Sequence, residues 1–404
     1  ALHTWRLQRS SRVQVAQGGF LVDPLRLAAS GGAQLEASGG LPADGALDFR
    51  LVGRNVPMAD IAELFQTPDL ERGRLDADAR FGGTREAPTL DAEGQLRGAL
   101  VRGVRLDTLN ARVVAQRDRL NLNLALGRPS APVATAEATL PLQLDLSGRG
   151  VRMVPEGALS GRIAADALDL GLFESLTAGV GGARGTMRVG LVLGGTWAQP
   201  TAVGDLRVRN GALTPPGLGQ VRWRNVEADI GFLGDSIAIR SVSANSPVQG
   251  ISRTGRLTLD GWMSLRDREN LRLDVRAISR GFNVFAQPGT AEVDLSGELR
   301  LAGSLDEATL RGFLTADRAI IGIPELAAKD VISLQGPDRF AALDTLTLNG
   351  NGNGQRGLPP FLQNLVVANV PIAMGGDVWI RSSEANINLG GQLTVTRGRV
   401  TRGP

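Results

Sequence analysis

Apolar and polar residues alternate with a period of two along most of this chain. In residues 120–126, for example, leucine occupies every second position, and the positions between are Asn, Asn and Ala. Successive side chains of a β-strand point to opposite faces of a sheet, so each run predicts a strand with one apolar and one polar face. Sheets with one solvated face are usually antiparallel, and Gly-Gly, Asn-Gly and Pro-Gly pairs between the runs are typical of hairpin turns.

Such strands must hide their apolar faces from water. A long series of them could pack against a second sheet, curl into a solenoid, or face lipid. At roughly one strand per 14 residues, about 28 strands spaced by ~4.8 Å would form a rod on the order of 130 Å long. The alternation by itself leaves all three arrangements open.

Helical patterns are scarce. Met58, Ile61, Ala62 and Phe65 follow the spacing i, i+3, i+4, i+7 and predict a short amphipathic helix. A second stripe begins at Leu168 and continues through Leu172, Phe173 and Leu176, and short helical turns are predicted for 326–330 and 361–365. We expect these helices to pack against the sheet.

A degenerate motif occurs three times in the chain, each time at the end of an alternating run. Gly-Gly-Thr, then Pro-Thr, then Gly appears in residues 82–94 and again in 194–204, and Gly-Ser, then Ala-Thr, then Gly appears in 303–312. The copies are roughly 110 residues apart, which indicates a long structural repeat. We therefore expect residues 1–404 to form one continuous elongated region, with units of approximately 1–100, 101–210, 211–318 and 319–404.

Composition narrows the possible chemistry. The 404 residues include 44 Lys and Arg and 41 Asp and Glu, a net charge of +3, which does not suit a nucleic-acid-binding protein. Cys and Tyr are absent and His3 is the one histidine, so thiol catalysis, structural zinc and a Ser-His-Asp triad lack their residues over almost the whole chain. No stretch approaches the ~18 uncharged apolar residues of a membrane-spanning helix. We expect no enzymatic activity, no metal and no cofactor.

The C-terminal part and the repeats resemble the TamB family of bacterial envelope proteins, within the AsmA-like, bridge-like lipid-transfer proteins. The most similar stretch is Val-Pro-Ile-Ala-Met-Gly-Gly-Asp-Val-Trp-Ile-Arg at 370–381, followed by Ala-Asn-Ile-Asn-Leu-Gly-Gly-Gln-Leu-Thr-Val at 385–395. The resemblance implies a mainly all-β fold: an elongated, twisted antiparallel sheet curved into an open, β-taco-like trough with an apolar inside and a few short helices. It also implies that the chain is an internal fragment of a larger protein.

The resemblance further implies a function in the periplasm. A TamB-like protein would carry phospholipids between the inner and outer membranes along a hydrophobic groove and so contribute to outer-membrane biogenesis. The implied partners are phospholipid acyl chains, a TamA-like outer-membrane barrel protein and the inner membrane, reached through an N-terminal anchor that is not in this chain. Nucleic acid is not an expected partner. The alternative function is a closed β-solenoid that acts as a structural scaffold or an adhesin.

We therefore predict that the apolar positions of the alternating runs line the lipid-binding groove. Transfer of an acyl chain of ~16 carbons into water costs on the order of 13 kcal/mol of free energy. A continuous apolar lining would remove that barrier without a single tight site. The predicted groove positions are Leu120, Leu122, Leu124, Leu126, Leu140, Leu142, Leu144, Leu146, Val189, Leu191, Leu193, Leu257, Leu259, Leu271, Leu273, Val275, Val293, Leu295, Val378 and Ile380.

Overall fold

The structure is a computed structural model of the chain. It describes residues 4–16, 18–64, 70–101, 104–116, 118–128, 130–148, 150–172, 181–247, 254–266, 271–304, 307–322, 365–382 and 384–398. The helical turn predicted at 326–330 and all but the last residue of the one predicted at 361–365 lie outside these residues, as do Phe65, Phe173 and Leu176.

Strands make up nearly all of the described chain. Their bounds are Arg6–Leu7 (β1), Val13–Ala16 (β2), Gly19–Ala29 (β3), Ala33–Leu41 (β4), Asp48–Pro57 (β5), Leu70–Gly83 (β6), Pro88–Val101 (β7), Val104–Gln116 (β8), Arg119–Arg128 (β9), Ala131–Leu140 (β10), Leu142–Asp145 (β11), Gly150–Met153 (β12), Ser160–Asp169 (β13), Gly181–Gly195 (β14), Pro200–Thr214 (β15), Trp223–Gly234 (β16), Ser236–Pro247 (β17), Thr254–Ser264 (β18), Arg272–Gln287 (β19), Ala291–Ser304 (β20), Thr309–Gly322 (β21), Val366–Arg381 (β22), Asn386–Asn388 (β23) and Gly391–Arg397 (β24).

The expected all-β fold with an open sheet is confirmed. Twenty-two of these strands form one sheet that does not close on itself, and β11 and β12 form a separate two-stranded hairpin. From β3 to β10 and from β13 to β21, each strand pairs antiparallel with the next one in the chain. Strand β10 pairs with β13 across the hairpin, β22 lies parallel to β21, and β24 pairs with β22. This continuous ribbon gives the molecule two faces along its whole length.

Short helices are few, as the sequence predicts. Helix α1, Met58–Leu64, follows directly after β5 and packs against β6, with Met58 and Ala62 buried. The indole N–H of Trp5 donates a hydrogen bond of 2.9 Å to the Asp60 carboxylate and ties the N-terminal segment to this helix. The helix predicted from Leu168 is wrong at its start, because Leu168 lies in β13 and pairs with Met187 of β14; helical backbone begins at Gly171.

The three copies of the sequence motif form equivalent turns between paired strands. In each copy a backbone N–H donates to the hydroxyl three residues before it: Ala87 to Thr84 at 3.2 Å, Gln199 to Thr196 at 3.1 Å and Glu307 to Ser304 at 3.2 Å. The backbone bond differs, because Thr84 and Thr196 donate to the Ala87 and Gln199 carbonyls, whereas in the third copy Glu307 donates to the Ser304 carbonyl. The repeat in the sequence therefore corresponds to a recurring turn that joins β6 to β7, β14 to β15 and β20 to β21.

Bulges bend many of the strands at positions held by left-handed asparagines. Asn55, Asn210, Asn225 and Asn369 have φ values of 52°, 51°, 47° and 46°, and each lies at a break in the pairing register. Asparagine adopts this conformation more readily than other residues with a β-carbon, and a bulge increases the local twist of a strand. These residues therefore bend the ribbon without interrupting the sheet.

Ion pairs between strands link the polar face. Each pair joins an arginine of one strand to a carboxylate of a nearby strand, as in Arg50–Asp78, Arg112–Asp91 and Arg276–Glu298. Such exposed pairs contribute little to stability individually. They mark the solvated face of the ribbon, and most apolar side chains of the strands lie on the opposite face; exceptions such as Val192, Leu233 and Phe313 are exposed on the solvated face.

Candidate functional site

A single row of apolar residues crosses almost the whole sheet on the face opposite the ion pairs. It takes one residue from each strand of β5–β10 and β13–β22, and consecutive members are direct cross-strand partners. In order, this apolar row is Val56, Leu75, Leu96, Leu109, Leu126, Ala134, Ala165, Val189, Leu206, Ile230, Ile239, Gly261, Val275, Leu301, Leu310 and Val367.

The apolar row runs along the ribbon, perpendicular to the strands. Neighbouring strands are ~4.8 Å apart, so the row extends on the order of 70 Å. Val56, Ala165 and Val189 are buried, and every other member is half-buried. Gly261 is the one member without a side chain. The row is thus a continuous apolar strip that is sheltered from water yet not enclosed.

The structure places most of the predicted groove positions on this face. Val189 and Val275 belong to the apolar row itself. The other positions on the apolar face flank the row: Leu120, Leu122, Leu124, Leu140, Leu191, Leu193, Leu257, Leu259, Leu273, Val293, Leu295, Val378 and Ile380. Leu126 is also a row member, and Leu271 immediately precedes β19.

Three predicted positions lie elsewhere. Leu142 and Leu144 belong to β11, in the separate hairpin, where they pair with Met153 and Val151 of β12. Leu146 lies in the following turn and is 44% exposed. Residues 140–146 therefore do not form one continuous strand, because the chain leaves the main sheet at Pro141, which has no N–H to donate to a ladder.

The exposure of the predicted positions is intermediate for nearly all of them. Val189, Leu273 and Val378 are buried, at 7%, 9% and 4% exposure, and Leu146 is exposed. All the others are half-buried. A self-packed protein core would bury most of these side chains, so much of the apolar surface on this face is still accessible to a guest.

Small residues flank the apolar row in the N-terminal part of the sheet. Gly53, Ala77, Gly94 and Ala111 are successive cross-strand partners on β5, β6, β7 and β8. We call these four residues the small-residue row. Ala77, Gly94 and Ala111 are half-buried and carry at most a methyl group, so the apolar face is thinly covered there; Gly53 is buried beneath the side chain of Val56.

Large residues cover the same face farther along the chain. The rings of Trp223 on β16 and Phe282 on β19 are 5.6 Å apart, although two strands lie between them. Beside Phe282, the Ala286 N–H donates to the Leu218 carbonyl at 3.3 Å and the Gln220 N–H donates to the Ala286 carbonyl at 2.6 Å. The sheet curls at this point, and Phe282, 1% exposed, fills the space with protein. We call Trp223, Phe282 and the residues packed on them, Val226 and Ala244, the covered cluster.

The polar face also has a shallow depression, over β6–β10. Its volume is about 630 Å³, and its lining includes Asp76, Asp78, Glu93, Arg112 and Glu137. Asp76 and Asp78 are engaged by Arg97 and Arg50. These charged groups make the depression unsuited to an apolar ligand, so the apolar face is the candidate functional site.

Several members of the apolar row are not among the predicted groove positions. Leu96 and Leu109 precede the first predicted member of the row, Leu126, and Leu206, Ile230 and Ile239 lie between Val189 and Val275. Their signal was present, since each alternates with polar residues such as Asn110 or Arg207. Within the parts of the chain that the structure describes, no group of side chains is suited to hold a metal ion, and no helix is long and apolar enough to span a membrane.

Comparison with protein families gives a match over the C-terminal part of the chain. Residues 247–401 match the family described as the TamB C-terminal domain. The match begins at the end of β17 and takes in β18–β24. Neither the curated proteins nor the solved structures give a match to the chain.

Proposed function

Since this chain belongs to the TamB family through residues 247–401, we propose that it is part of a bridge that carries phospholipids across the periplasm between the inner and outer membranes. Family membership supports a role in envelope biogenesis through the transport of lipid or protein, and an association with the envelope. We propose that the transported material is phospholipid. A TamA-like outer-membrane barrel and an inner-membrane anchor outside this chain are part of the same proposal.

The apolar row is the observation that supports lipid as the cargo. A phospholipid tail leaving a bilayer loses about 0.8 kcal/mol for each CH₂ that water surrounds. The apolar row offers the tail an apolar residue on each strand of β5–β10 and β13–β22, and its members on β16–β19, beside the covered cluster, are half-buried like most of the others. The headgroup can stay in water at the open side of the trough, so no polar group has to be desolvated.

The composition of the row favours movement over capture. Its members are Leu, Ile, Val and Ala with one Gly, and they present no charged or hydrogen-bonding group to a tail. Because each position offers a similar weak contact, no position along the row holds a tail much more tightly than its neighbours. Such a surface provides binding without a specific site, as transfer along a bridge requires.

The open sheet does not support the alternative of a closed solenoid. A solenoid would coil the chain so that its own side chains fill an enclosed interior. Here successive strands are antiparallel neighbours in a single ribbon, and most apolar side chains of β6–β10 are half-buried. A scaffold or adhesin function therefore has no structural feature in its favour.

Photo-crosslinking on β9 tests the proposal directly. Leu122 lies on the apolar face and Asn123 lies beside it on the polar face, so the two positions differ in little except the face they occupy. With a photoreactive residue at each position in turn, we expect phospholipid adducts at Leu122 and none at Asn123, measured by mass spectrometry. Adducts at both positions or at neither would contradict the assignment of faces.

The identity of the adduct separates lipid cargo from protein cargo. Phospholipid attached at Leu122, together with phospholipid that co-purifies with the chain, is the expected outcome. Peptide adducts at Leu122 in place of lipid would show that the groove carries protein, and would overturn the proposal while leaving family membership intact.

A further inference from the structure

Three arginines stand in one cross-strand line on the polar face. Arg224 of β16 pairs with Asn245 of β17, Asn245 with Arg256 of β18, and Arg256 with Arg280 of β19. All three arginines are exposed. We call Arg224, Arg256 and Arg280 the arginine line.

The arginine line has no acidic partner in the part of the chain that the structure describes. Among the described residues, none of its three members has a carboxylate within salt-bridge distance. Arg256 and Arg280 face each other directly, which places their β-carbons about 5 Å apart, and like charges at that position destabilise a sheet. Within the part of the chain that the structure describes, no acidic side chain offsets this repulsion.

Some other arginines that face each other on the polar face have acidic partners. Arg276, four residues before Arg280 on the same face of β19, also faces an arginine, Arg300 of β20, but Arg276 donates to Glu298 and Arg300 donates to Asp274. Across β14 and β15, Arg188 pairs with Asp166 and Arg207 with Asp229.

Other polar-face arginines, such as Arg80 and Arg311, also have no ion pair, but each of them faces an arginine that does, Arg50 and Arg300. Among the described residues, Arg256 and Arg280 are directly facing arginines of which neither has an acid partner.

The backbone fixes the arginine line in place. Arg224 directly precedes Asn225, and Arg280 directly precedes Gly281, both with φ near +50°, at 47° and 52°. Both residues lie at breaks in register, where a bulge changes the direction of neighbouring side chains. The bend of the ribbon therefore determines where these two guanidinium groups stand.

An exposed aromatic ring lies near the arginine line. Ile278, half-buried, precedes Arg280 by two residues on the same face of β19; its cross-strand partner on β20 is Glu298, and the partner of Glu298 on β21 is Phe313. Phe313 is 56% exposed on this face. A basic row next to an exposed aromatic ring is the arrangement by which proteins attach to the surface of a charged membrane.

We propose that the arginine line and Phe313 form a docking surface for an anionic lipid bilayer, in which the arginines bind headgroup phosphates and Phe313 enters the boundary of the acyl region. A guanidinium presents parallel N–H donors that match two oxygens of one phosphate. Asn245, between Arg224 and Arg256, adds an amide donor to the same line. Bound phosphates would supply the negative charge that the described residues do not place within salt-bridge distance of these arginines.

This surface is separate from the apolar groove. The arginine line lies on the polar face, so it cannot contact tails held on the apolar face of the same strands. It would instead bring β16–β21 against a membrane, beside the start of the TamB C-terminal domain at residue 247. The inference holds whether the groove carries lipid or protein.

Vesicle sedimentation tests the docking surface. The 404-residue chain is mixed at low salt with vesicles of phosphatidylcholine alone or with added phosphatidylglycerol, and the bound fraction is measured. We expect binding to the anionic vesicles only, weakened roughly tenfold or more in the double variant Arg256→Gln/Arg280→Gln. The Tm of this variant should stay equal to or exceed that of the wild type, because the substitution removes a like-charge contact.

A matched double variant controls for net charge. Arg276→Gln/Arg300→Gln removes the same charge from neighbouring positions, but from arginines already bonded to acids, and should change vesicle binding by no more than about twofold. Equal loss in both double variants would show that only overall charge matters and would overturn the proposal. So would binding to neutral vesicles, or no binding by the wild type.

Phe313→Ser separates a bilayer from free phosphate. It should weaken binding to anionic vesicles while leaving the affinity for soluble inositol hexakisphosphate unchanged. If Phe313→Ser leaves vesicle binding unchanged and Arg256→Gln/Arg280→Gln reduces only the binding of the soluble phosphate, the surface is a site for free phosphate and the membrane proposal fails. Lipid cross-linking at Leu122 is measured in the same variants and should not change, so this proposal and the proposed function fail independently.

Discussion

The apolar faces of β5–β8 and of β16–β19 follow the same alternating pattern but are filled in different ways. In the first region the small-residue row lies on the apolar face. Ala77, Gly94 and Ala111 are half-buried, and Gly53 is buried. In the second region the covered cluster places Phe282 and its neighbours over the backbone. All three clusters of contacting buried residues recorded for the described chain lie after β9.

The difference shows that side-chain volume decides what an apolar face does. Alternation determines which face of a strand avoids water, but a guest fits only where the chain leaves that face unfilled. Proteins pack their interiors densely, so large side chains such as Phe and Trp fill the space over the apolar face where the sheet curls. The small-residue row leaves the apolar face of β5–β8 thinly covered, whereas the covered cluster fills the apolar face of β16–β19 with its own side chains.

The largest effect that this comparison predicts comes from Phe282→Ala. Removing a ring that is 1% exposed leaves a cavity between β16 and β19, and should cost about 3–5 kcal/mol. Leu124→Ala, on a half-buried position beside Ala111, should cost only about 1 kcal/mol, because solvent or lipid can occupy the space. Urea unfolding measures both, and hydrogen exchange locates the loss of protection in β16–β19.

Phe313→Ala is the control for ring removal. Phe313 is 56% exposed, so its substitution should change stability by less than about 0.5 kcal/mol. If Leu124→Ala proves as costly as Phe282→Ala, the apolar face of β5–β10 is a packed core and the two regions do not differ.

Charge inserted on the apolar face should have a smaller effect on stability than loss of Phe282, and the effect should differ between β9 and β14. Leu191 packs against the cluster of Ala165, Met187 and Val189, so Leu191→Asp should cost roughly 1–3 kcal/mol. Leu122→Arg should leave the fold in place with a smaller loss, because the long side chain can reach water from a half-buried position. Both should abolish lipid cross-linking at Leu124, since the tail would have to pass a charge.

Polar-face substitutions provide the matched controls. Asn123→Arg and Val192→Asp insert the same charges next to these positions but on the other face, where Val192 is 50% exposed. Neither should change cross-linking at Leu124. Loss of cross-linking in these two variants as well would show that overall charge, and not the apolar row, controls access of lipid.

The strands and their faces could be predicted from the sequence, but their filling could not. Period-two alternation identified the apolar face correctly along β9 and β14, and the 3.6-residue spacing found α1. It failed at Leu142 and Leu144, because the alternation continues through Pro141 although the chain leaves the main sheet there. A two-residue period identifies a strand, and it contains no information about which sheet the strand joins.

Longer-range features had weaker signals. Trp223 and Phe282 are distant in sequence, and only the curl of the sheet brings their rings together. The bends themselves left a local trace: left-handed Asn or Gly residues directly follow arginine at Arg54-Asn55, Arg209-Asn210 and Arg224-Asn225. Such a pair is uninformative on its own, because its meaning depends on which strands lie beside it.

The smallest predicted effect is a difference in pH dependence between the two regions. Burial raises the pKa of Asp294 in β20, although the Asn283 amide donates a 2.7 Å hydrogen bond to it. In β6, the hydrogen bonds that the Arg50 guanidinium donates lower the pKa of Asp78. Folding therefore disfavours the charged form of Asp294 and favours the charged form of Asp78.

The two groups should respond oppositely when each is replaced by Asn. A raised pKa makes charged Asp294 a cost above that pKa, so Asp294→Asn should raise the Tm at pH 7, with the gain vanishing as the pH falls through the raised pKa. A lowered pKa means that Asp78 stabilises the fold above its ordinary pKa of 3.8, so Asp78→Asn should lower the Tm at pH 7 and lose its effect as the pH falls through the lowered pKa. The second change should be slight, because the Asp78 pair is solvent-screened. Thermal unfolding followed between pH 3 and pH 7 measures both, and a shift of the same sign in the two variants would show that the carboxylates of the open and covered regions have the same environment.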